Sequence, residues 1–361
     1  MFLVMCAVPA VFAQGGKPLF GKWTRPTNAP VITPAKESSF TDPVTGQTTH
    51  WQALHTFNPA AVVRNGKVYV LYRAEDDSGA MAIGGHVSRL GLAVSDDGIH
   101  FKQMAEPVLY PAKDGQEERE NPGGVEDPRI VEAPDGSYVL TYTQWSRKLD
   151  RYSVGIATST DLVHWQKHGP AFQGSLDGRY DTYKYKSAAV VTEIKGGRLI
   201  AAKVNGKYWM FWGDLGIRPA TSTDLVHWTP VESAPNMPKV VLEPRAGKPD
   251  SDFPEAGPPP VLTKQGIVML YNAKNKDGEG RDPALKAGSY SVLQAVLSVS
   301  DPEKVVSRTD VPVFKPEMPF EQSGQYAAGT TFGEGLVLFH GKWWLYYGCA
   351  DSFVGVATAE R

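Results

Sequence analysis

Short runs in which apolar and polar positions alternate recur along the whole chain. The alternation is clear in VYVLY (68–72) and YVLTY (138–142), and their aromatic and β-branched residues favour strands. The turn-forming pairs Asn65-Gly66, Asp97-Gly98 and Asp135-Gly136 separate such runs. No stretch keeps a helical period. The pattern therefore predicts an all-β protein.

The strand pattern is an internal repeat with five copies. Each copy has a short aromatic strand followed by a second strand, usually with Gly and Ala in it. The five pairs are 67–76 with 89–101, 136–145 with 153–165, 206–214 with 216–228, 266–275 with 291–305, and 341–351 with 353–360. The alanines of the second strands recur at nearly even spacing, with one longer interval before the fourth: Ala93, Ala157, Ala220, Ala295 and Ala357. Five units of similar size thus fill the chain.

Five radially repeated small sheets predict a five-bladed β-propeller, which hides its sheet edges by packing blades around an axis. The alternative, a two-sheet sandwich, does not explain so regular a repeat. The last unit ends early, at Arg361, so we expect a strand from about residues 18–35 to complete it and close the ring. Residues 14–361 are predicted to form one catalytic domain.

A further strand precedes each aromatic strand and opens on a polar or proline-rich signature. These strands lie at 57–63, 124–131, 185–191, 254–262 and 329–339. The first strand of a blade faces the axial channel, so a ring of polar residues is predicted at one channel mouth: Asn58, Asp127, Lys186, Glu255 and Glu334. A plainer interpretation is that Asn-Pro and Asp-Pro simply start turns. Five different polar residues at one equivalent place favour a functional ring.

Composition narrows the partners and the compartment. A net charge of −2 gives no case for binding nucleic acid or an anionic membrane. Residues 1–13, MFLVMCAVPAVFA, are predicted to be a signal peptide cut before Gln14, although no basic residue precedes the apolar run. A buried N-terminal strand and lipid attachment at Cys6 are the alternatives. The run is too short to span a membrane. Because a signal peptide directs export, we expect a periplasmic or secreted protein.

The remaining residue types point to sugar chemistry. Two carboxyl groups, one protonated and one ionised, are what glycosidic cleavage needs, and arginines and aromatic rings hold sugars. No CxxC, HExxH, GxSxG or phosphate-binding glycine loop occurs, so no metal or cofactor is predicted. His100, His164 and His227 occupy the same repeated turn and are expected to be scaffolding. Cys349, within the apolar run WWLYYGCAD, is expected to be a buried, inert thiol.

The motifs NPA…YRAED, RLGLAVSDDGIHF, GVEDPRI, AGPPP…GIVMLYN and LYYGCAD together resemble glycoside hydrolase family 130, over about residues 58–357. The resemblance implies a five-bladed propeller acting on β-mannosides, with Asp127 as the acid that protonates the glycosidic oxygen, either directly or through a sugar hydroxyl. It also implies a set of residues that hold the terminal mannose: Asn58, Arg73, Arg129, Lys186, Asp351 and, less directly, Arg89. For Arg129 a structural pair with Glu126 or another acid is the competing interpretation.

The sequence departs from the phosphorylases of that family where they hold phosphate. Their "HR" is replaced by Trp212-Gly213-Asp214, their "YHG" by Tyr271-Asn272-Ala273, and a glycine by Glu255. Two anions beside a phosphate dianion repel it by about 4 kcal/mol per charge pair at an effective dielectric constant of about 20. The resemblance is thus to the hydrolytic branch, with Glu255 and the shorter acid Asp214 activating water. Glu243 and Glu334 are alternatives for the second acid.

The sequence therefore predicts an exported, inverting exo-β-mannosidase acting on β-1,2-linked mannose in an oligosaccharide or glycan. Three other functions stay open. They are a phosphorylase that releases mannose 1-phosphate, a non-catalytic glycan-binding propeller, and a glycosidase acting on arabinan, xylan or fructan.

Overall fold

A computed structural model describes residues 20–361, so the predicted signal peptide, residues 1–13, lies outside the described residues. The described chain folds into five small antiparallel sheets arranged as the blades of a β-propeller, as predicted. A two-strand hairpin, β1 (Phe40–Thr41) and β2 (Thr48–Thr49), precedes the first blade. The one α-helix among residues 20–361, α1, is the single turn Glu117–Glu120. Short 3₁₀ segments lie at Ser175–Gly178 and Pro319–Glu321.

The first two blades each have four strands in sequence order, and the innermost strand comes first. Blade 1 consists of β3 (His55–Arg64), β4 (Lys67–Glu75), β5 (Ser88–Ser95) and β6 (Lys102–Gln103). Blade 2 consists of β7 (Gly123–Glu132), β8 (Tyr138–Ser146), β9 (Arg151–Ser159) and β10 (Gln166–Pro170).

Blade 3 carries the insertion that loosens its repeat. Its strands are β11 (Ala188–Val190), β14 (Lys203–Val204), β15 (Lys207–Trp212), β16 (Arg218–Ser222) and β17 (Thr229–Pro230). The inserted residues form a hairpin, β12 (Thr192–Lys195) with β13 (Arg198–Ala201). This hairpin meets blade 2 at Ile200–Glu132 and blade 4 at Thr192–Val261 through parallel bridges, so the insertion joins neighbouring blades. A second hairpin, β18 (Glu232–Ala234) with β19 (Met237–Pro238), follows the blade.

Blades 4 and 5 complete the ring. Blade 4 contains β20 (Phe253–Ala256), β21 (Val261–Thr263), β22 (Gly266–Lys274), β23 (Tyr290–Leu297) and β24 (Val305–Arg308). Blade 5 contains β25 (Thr331–Phe339), β26 (Lys342–Cys349) and β27 (Phe353–Glu360). Thr24 and Ile32 bridge antiparallel to Thr358 and Val354 of β27. The N-terminal segment therefore supplies the outer edge of the last blade, as predicted.

The recurring glycine of the second strand has a packing cause. A Cβ on Gly91, Gly155 or Gly355 would collide with the ring of the tyrosine on the preceding strand, which is Tyr72, Tyr142 or Tyr347 respectively. Each of these buried hydroxyls donates a hydrogen bond to a polar side chain of a connecting segment: Tyr72 to Gln52, Tyr142 to Glu120 and Tyr347 to Glu321. The repeat thus encodes a ring, a glycine that makes room for it, and a partner for its hydroxyl.

Apolar side chains fill the space between blades. Val154 and Ile156 of blade 2, for example, belong to one buried cluster with Met210 and Trp212 of blade 3. Cys349 is fully buried with its Sγ facing the Tyr347 carbonyl, and burial raises its pKa well above the usual range. Its predicted burial is confirmed, and its inertness stays a prediction. Among residues 20–361, no helix is long and apolar enough to cross a membrane.

Candidate active site

The inner strands are interrupted at one end of the channel. Pairing of β3 with β4 shifts register between Phe57 and Pro59, so Asn58 bulges out of the ladder; Asp127 and Glu334 lie in corresponding shifts of β7 and β25. Asn58 and Asp127 have φ angles of 45° and 47°, a left-handed conformation that Asn and Asp adopt more readily than most residues. A bulge re-aims a side chain out of the sheet. The repeat therefore turns these polar side chains toward the axis.

Asp127 is held by groups from blades 1 and 3 and is 3% exposed. Asn58 donates a hydrogen bond from Nδ2 to Asp127 Oδ1 over 2.8 Å, and Arg73 Nη1 lies 3.2 Å from the same oxygen. Lys186 Nζ of blade 3 lies 3.8 Å from Asp127 Oδ2. Burial raises the pKa of Asp127, but the positive charges of Arg73, Lys186 and Arg129 and the Asn58 hydrogen bond outweigh it and lower the pKa to about 2.

Glu255 faces Asp127 across the lysine. Lys186 Nζ lies 3.4 Å from Glu255 Oε1 and 3.8 Å from Asp127 Oδ2. The distance between the two carboxyl oxygens therefore cannot exceed the sum of these two distances. The Ser187 hydroxyl donates a hydrogen bond to Glu255 Oε1 over 2.6 Å. Burial and the nearby charge of Asp214 raise the pKa of Glu255, although Lys186 acts in the opposite direction.

Asp214 reaches this group through backbone hydrogen bonds of its turn. The Gly213 amide donates to the carbonyls of Lys186 and Ser187, and the Gly213 carbonyl accepts from the Ala256 amide. Gly213 has a φ of 117°, and a Cβ there would collide with the Gly216 carbonyl, so the turn requires glycine. Burial alone would lower the pKa of Lys186, but Glu255, Asp127 and Asp214 raise it well above the usual range. One cation therefore faces three carboxylates.

Arg129 spans the channel below these groups. Its guanidinium donates to the carbonyls of Asp127, over 3.0 Å, and Ala256, over 2.6 Å, and lies 2.8 Å from Glu334 Oε1. The Glu334 contact has the distance of an ion pair without hydrogen-bond alignment, and neither carboxyl oxygen has a hydrogen-bond partner within residues 20–361. Burial raises the pKa of Glu334 well above the usual range. Arg129 thus ties blade 2 to blades 4 and 5, which corresponds to the structural interpretation but with Glu334 instead of Glu126 as the partner.

Arg73 is shared among several acids on the blade 1 side. Its Nη2 lies 2.7 Å from Glu75 Oε1 and 2.9 Å from Glu126 Oε1. Burial raises the pKa of Glu126 to about 7 despite Arg73, and raises that of Asp351 to about 7 because Arg73 offsets burial only in part. Asp351 lies on the β26–β27 turn with a φ of 51°, within electrostatic reach of Arg73 and Asp127.

A cavity of about 330 Å³ opens above the group. Arg73, Glu126, Lys186 and Asp214 of the charged group line it, and the rest of its lining is Ile83, Gly84, Thr143, Trp145 and Tyr152. A larger cavity, about 770 Å³, lies between blades 2 and 3 and is lined by the turns at 133–137 and 160–166. Those turns join strands at the opposite end of the blades, away from the ring. The smaller cavity is therefore the candidate active site.

The structure separates two predicted residues from the site. Arg89 is 2% exposed and lies 2.6 Å from both Asp42 Oδ2 and Asp76 Oδ2, so its charge is already matched. Glu243 is exposed, and its backbone carbonyl accepts from Arg308. Sequence reasoning missed Ser187 and the cavity wall, and it named Glu126 only as a possible partner of Arg129. Ser187 directly follows Lys186 and Glu126 directly precedes Asp127, so their position beside ring residues was the available signal.

Comparisons with known proteins identify the family of the chain. The family model of glycoside hydrolase family 130, described as β-1,4-mannooligosaccharide phosphorylase, matches residues 25–361. A 1,2-β-oligomannan phosphorylase of Thermoanaerobacter sp. (strain X514) is 30% identical over 94% of this chain and 97% of its own length.

Two solved structures are more similar. A glycosyl hydrolase from Bacteroides ovatus is 47% identical, with a TM-score of 0.92 and 96% of each chain covered. A GH130 structure is 45% identical, with a TM-score of 0.91, covering 97% of this chain and 95% of its own; its description states that this family of mannoside phosphorylases contains glycoside hydrolases that target β-1,2 mannosidic linkages in Candida mannan. The chain belongs to glycoside hydrolase family 130, an enzyme family acting on β-mannosides.

Proposed function

We propose that this protein is a hydrolase that removes terminal β-1,2-linked mannose from an oligosaccharide, with inversion at the anomeric carbon. The observation that carries the proposal is the position of Glu255. It lies 3.4 Å from Lys186, whose charge also faces Asp127 and Asp214. A phosphate dianion bound here would lie beside three carboxylates, and the charge of Lys186 can match only one of them. Repulsion from the other two favours water over phosphate as the attacking group.

The proposed reaction moves two protons while one bond forms and one breaks. Glu255, with Asp214, accepts a proton from water as the water oxygen attacks the anomeric carbon. Asp127 delivers a proton to the glycosidic oxygen as its bond to that carbon breaks, directly or through a sugar hydroxyl. Exchange with solvent then restores both carboxyls.

The electrostatics of the free enzyme set a condition on these roles. The pKa of Asp127 is lowered to about 2, whereas that of Glu255 is raised, so in the free enzyme Asp127 releases its proton at a lower pH than Glu255 does. The proposed reaction needs the opposite order, with the proton on Asp127 and Glu255 ionised. Mannose hydroxyls that engage Asn58, Arg73 and Lys186 weaken the interactions that lower the pKa of Asp127, so we infer that the substrate itself reverses the order.

Product analysis tests the reaction type. The enzyme is incubated with β-1,2-mannobiose, with and without inorganic phosphate, and mannose and mannose 1-phosphate are quantified. We expect two mannoses per disaccharide at a rate independent of phosphate. Formation of mannose 1-phosphate in a phosphate-dependent reaction means a phosphorylase, and binding of mannobiose without turnover means a glycan-binding protein.

β-Mannosyl fluoride tests the two carboxyl roles, because fluoride leaves without protonation. We expect Asp127→Asn to lose mannobiose hydrolysis but keep turnover of the fluoride, and Glu255→Gln to lose both. The opposite pattern assigns the acid to Glu255 and the base to Asp127.

The predicted export is also a proposal. Expression of the full chain in a bacterium with a periplasm, followed by mass spectrometry of the recovered protein, tests it. A mature N-terminus at Gln14 is the expected result, and an intact N-terminus in the cytoplasmic fraction contradicts it.

A further inference from the structure

The wall of the active-site cavity contains aromatic side chains that have no part in the proposed reaction. Trp145 and Tyr152, on adjacent strands β8 and β9, are half-buried, with ring centroids 6.1 Å apart and planes 59° from parallel. Both line the cavity. Partly exposed aromatic faces on a concave wall are the surfaces on which sugar rings pack through their C–H groups.

A loop from blade 1 faces this pair across the cavity. Ile83 and Gly84 of the β4–β5 connection line the cavity, and the side chains of Met81 and Ile83 are 68% and 59% exposed. Large apolar side chains exposed beside a cleft are typical of a ligand-binding surface.

The loop is fixed at its base and free at its tip. Arg147 donates from Nη1 to the carbonyls of Gly84, over 3.0 Å, and His86, over 2.7 Å. At the other end Asp76 accepts from Arg89 and from Ser78, each over 2.6 Å. These anchors fix where the tip lies without covering Met81 or Ile83. Arg89, although outside the catalytic group, thereby helps to position the cavity wall.

A polar atom in the same wall lacks a partner. Thr143 is 2% exposed and lines the cavity, yet its Oγ1 has no hydrogen-bond partner within residues 20–361. Burying a hydroxyl without a hydrogen-bond partner costs folding free energy. Because this hydroxyl lies in a cavity wall, it indicates a ligand that supplies the missing hydrogen bond.

We propose that Ile83, Thr143, Trp145 and Tyr152 form the site for the leaving sugar, the residue released when the terminal mannose is cleaved. This inference rests on the proposed function. The terminal mannose lies against Arg73, Glu126 and Lys186 on the catalytic side of the cavity, and the next sugar lies between the loop tip and the aromatic pair. The Thr143 hydroxyl forms a hydrogen bond with a hydroxyl of that second sugar.

The test compares two substrates that share the terminal mannose. β-1,2-Mannobiose has a leaving sugar, whereas β-mannosyl fluoride has none. We expect Ile83→Ala, Thr143→Val and Tyr152→Leu each to lower kcat/KM for mannobiose by roughly three- to tenfold. The matched control Val306→Ala, an exposed apolar residue on outer strand β24, should leave mannobiose hydrolysis unchanged.

A loss confined to mannobiose supports the site. An equal loss on mannobiose and the fluoride, or no loss on either, overturns it. Thermal unfolding of each variant identifies a folding defect, and Ile83→Ala, which removes an exposed side chain, keeps the test valid if Tyr152→Leu is unstable. Failure of the proposed function has a different signature, which is mannose 1-phosphate as the wild-type product.

Discussion

The two ends of the propeller use the same repeat in opposite ways. At the end away from the site, three blades carry the same turn with the same contacts. Ser159 caps the turn, Asp161 Oδ1 accepts from the amides of Val163 and His164, and Asp161 Oδ2 lies 2.7 Å from His164 Nδ1. The set is reproduced around Asp97 and around Asp224. As predicted, these histidines lie on the repeated turn, each beside the aspartate of its own turn.

At the channel mouth the equivalent position differs in every blade. Asn58, Asp127, Lys186, Glu255 and Glu334 occupy it, and several groups there have incomplete hydrogen bonding, including Asn58 Oδ1 and both Glu334 oxygens within residues 20–361. A repeat position that keeps the same residue and the same contacts stabilises each blade that carries it in the same way. A repeat position whose residue changes from blade to blade can bring different side chains together in one site. Identity between copies therefore indicates scaffolding, and divergence at one position indicates function.

Replacing one carboxylate by an amide at each end gives the largest expected contrast. Asp127→Asn should lower kcat for β-1,2-mannobiose by about 10²- to 10⁴-fold, the contribution of a positioned acid–base group. Asp161→Asn should leave kcat within about twofold, because Asp161 contacts only its own turn. Steady-state kinetics on both variants measures the contrast, and equal losses would contradict the division between the two ends.

Removing the guanidinium that spans the channel comes next. Arg129→Met should destabilise the fold by about 1–3 kcal/mol, because it leaves the buried Glu334 carboxyl without its contact and the Ala256 carbonyl without this hydrogen bond. The double variant Arg129→Met/Glu334→Gln should be more stable than Arg129→Met. Denaturant unfolding tests this, and strict additivity of the two changes would refute the coupling.

The pH dependence of stability identifies the buried carboxyl more directly. Burial raises the pKa of Glu334 in the folded protein above its unfolded value, so the folded state binds more protons and stability falls as pH rises above about 5. Glu334→Gln removes that contribution, so its stability relative to wild type should increase from pH 5 to pH 8. Thermal unfolding across this range measures it. A constant difference would contradict a raised pKa for Glu334 in the folded protein.

Removing a turn carboxylate at the opposite end should have a modest effect. Asp161→Ala and Asp224→Ala each lose two backbone amide contacts, which costs about 1 kcal/mol of unfolding free energy. Because the turns are equivalent, the two costs should agree closely. Denaturant unfolding checks this, and a change in kcat for either variant would mean that the scaffold end communicates with the site.

The smallest effect is expected for the turn histidine. The His164 side chain is 88% exposed, and its contact with Asp161 is a surface pair, so His164→Ala should change stability by less than about 0.5 kcal/mol. A larger loss, measured in the same unfolding series, would assign the turn's stability to the side-chain pair instead of the backbone contacts.

The sequence by itself determined the all-β class, the five blades, the N-terminal segment that closes the last blade, and the ring position. All of these follow from the regular repeat and from local strand and turn preferences, which any stretch of the chain carries on its own. It also located Asp127 and Glu255 by counting along the repeat, and Lys186 by the polar start of the corresponding strand in the third unit.

The tertiary structure decided which charges meet. Arg89 and Arg129 both lie on strands near the mouth, yet Arg89 pairs with Asp42 and Asp76 whereas Arg129 joins Glu334 and the Ala256 carbonyl. Only the tertiary structure placed Thr143 and Tyr152 around one cavity with the Ile83 loop. The physical reason is that these contacts join different blades or strands, and their energies depend on side-chain direction and burial, which spacing along the chain does not fix.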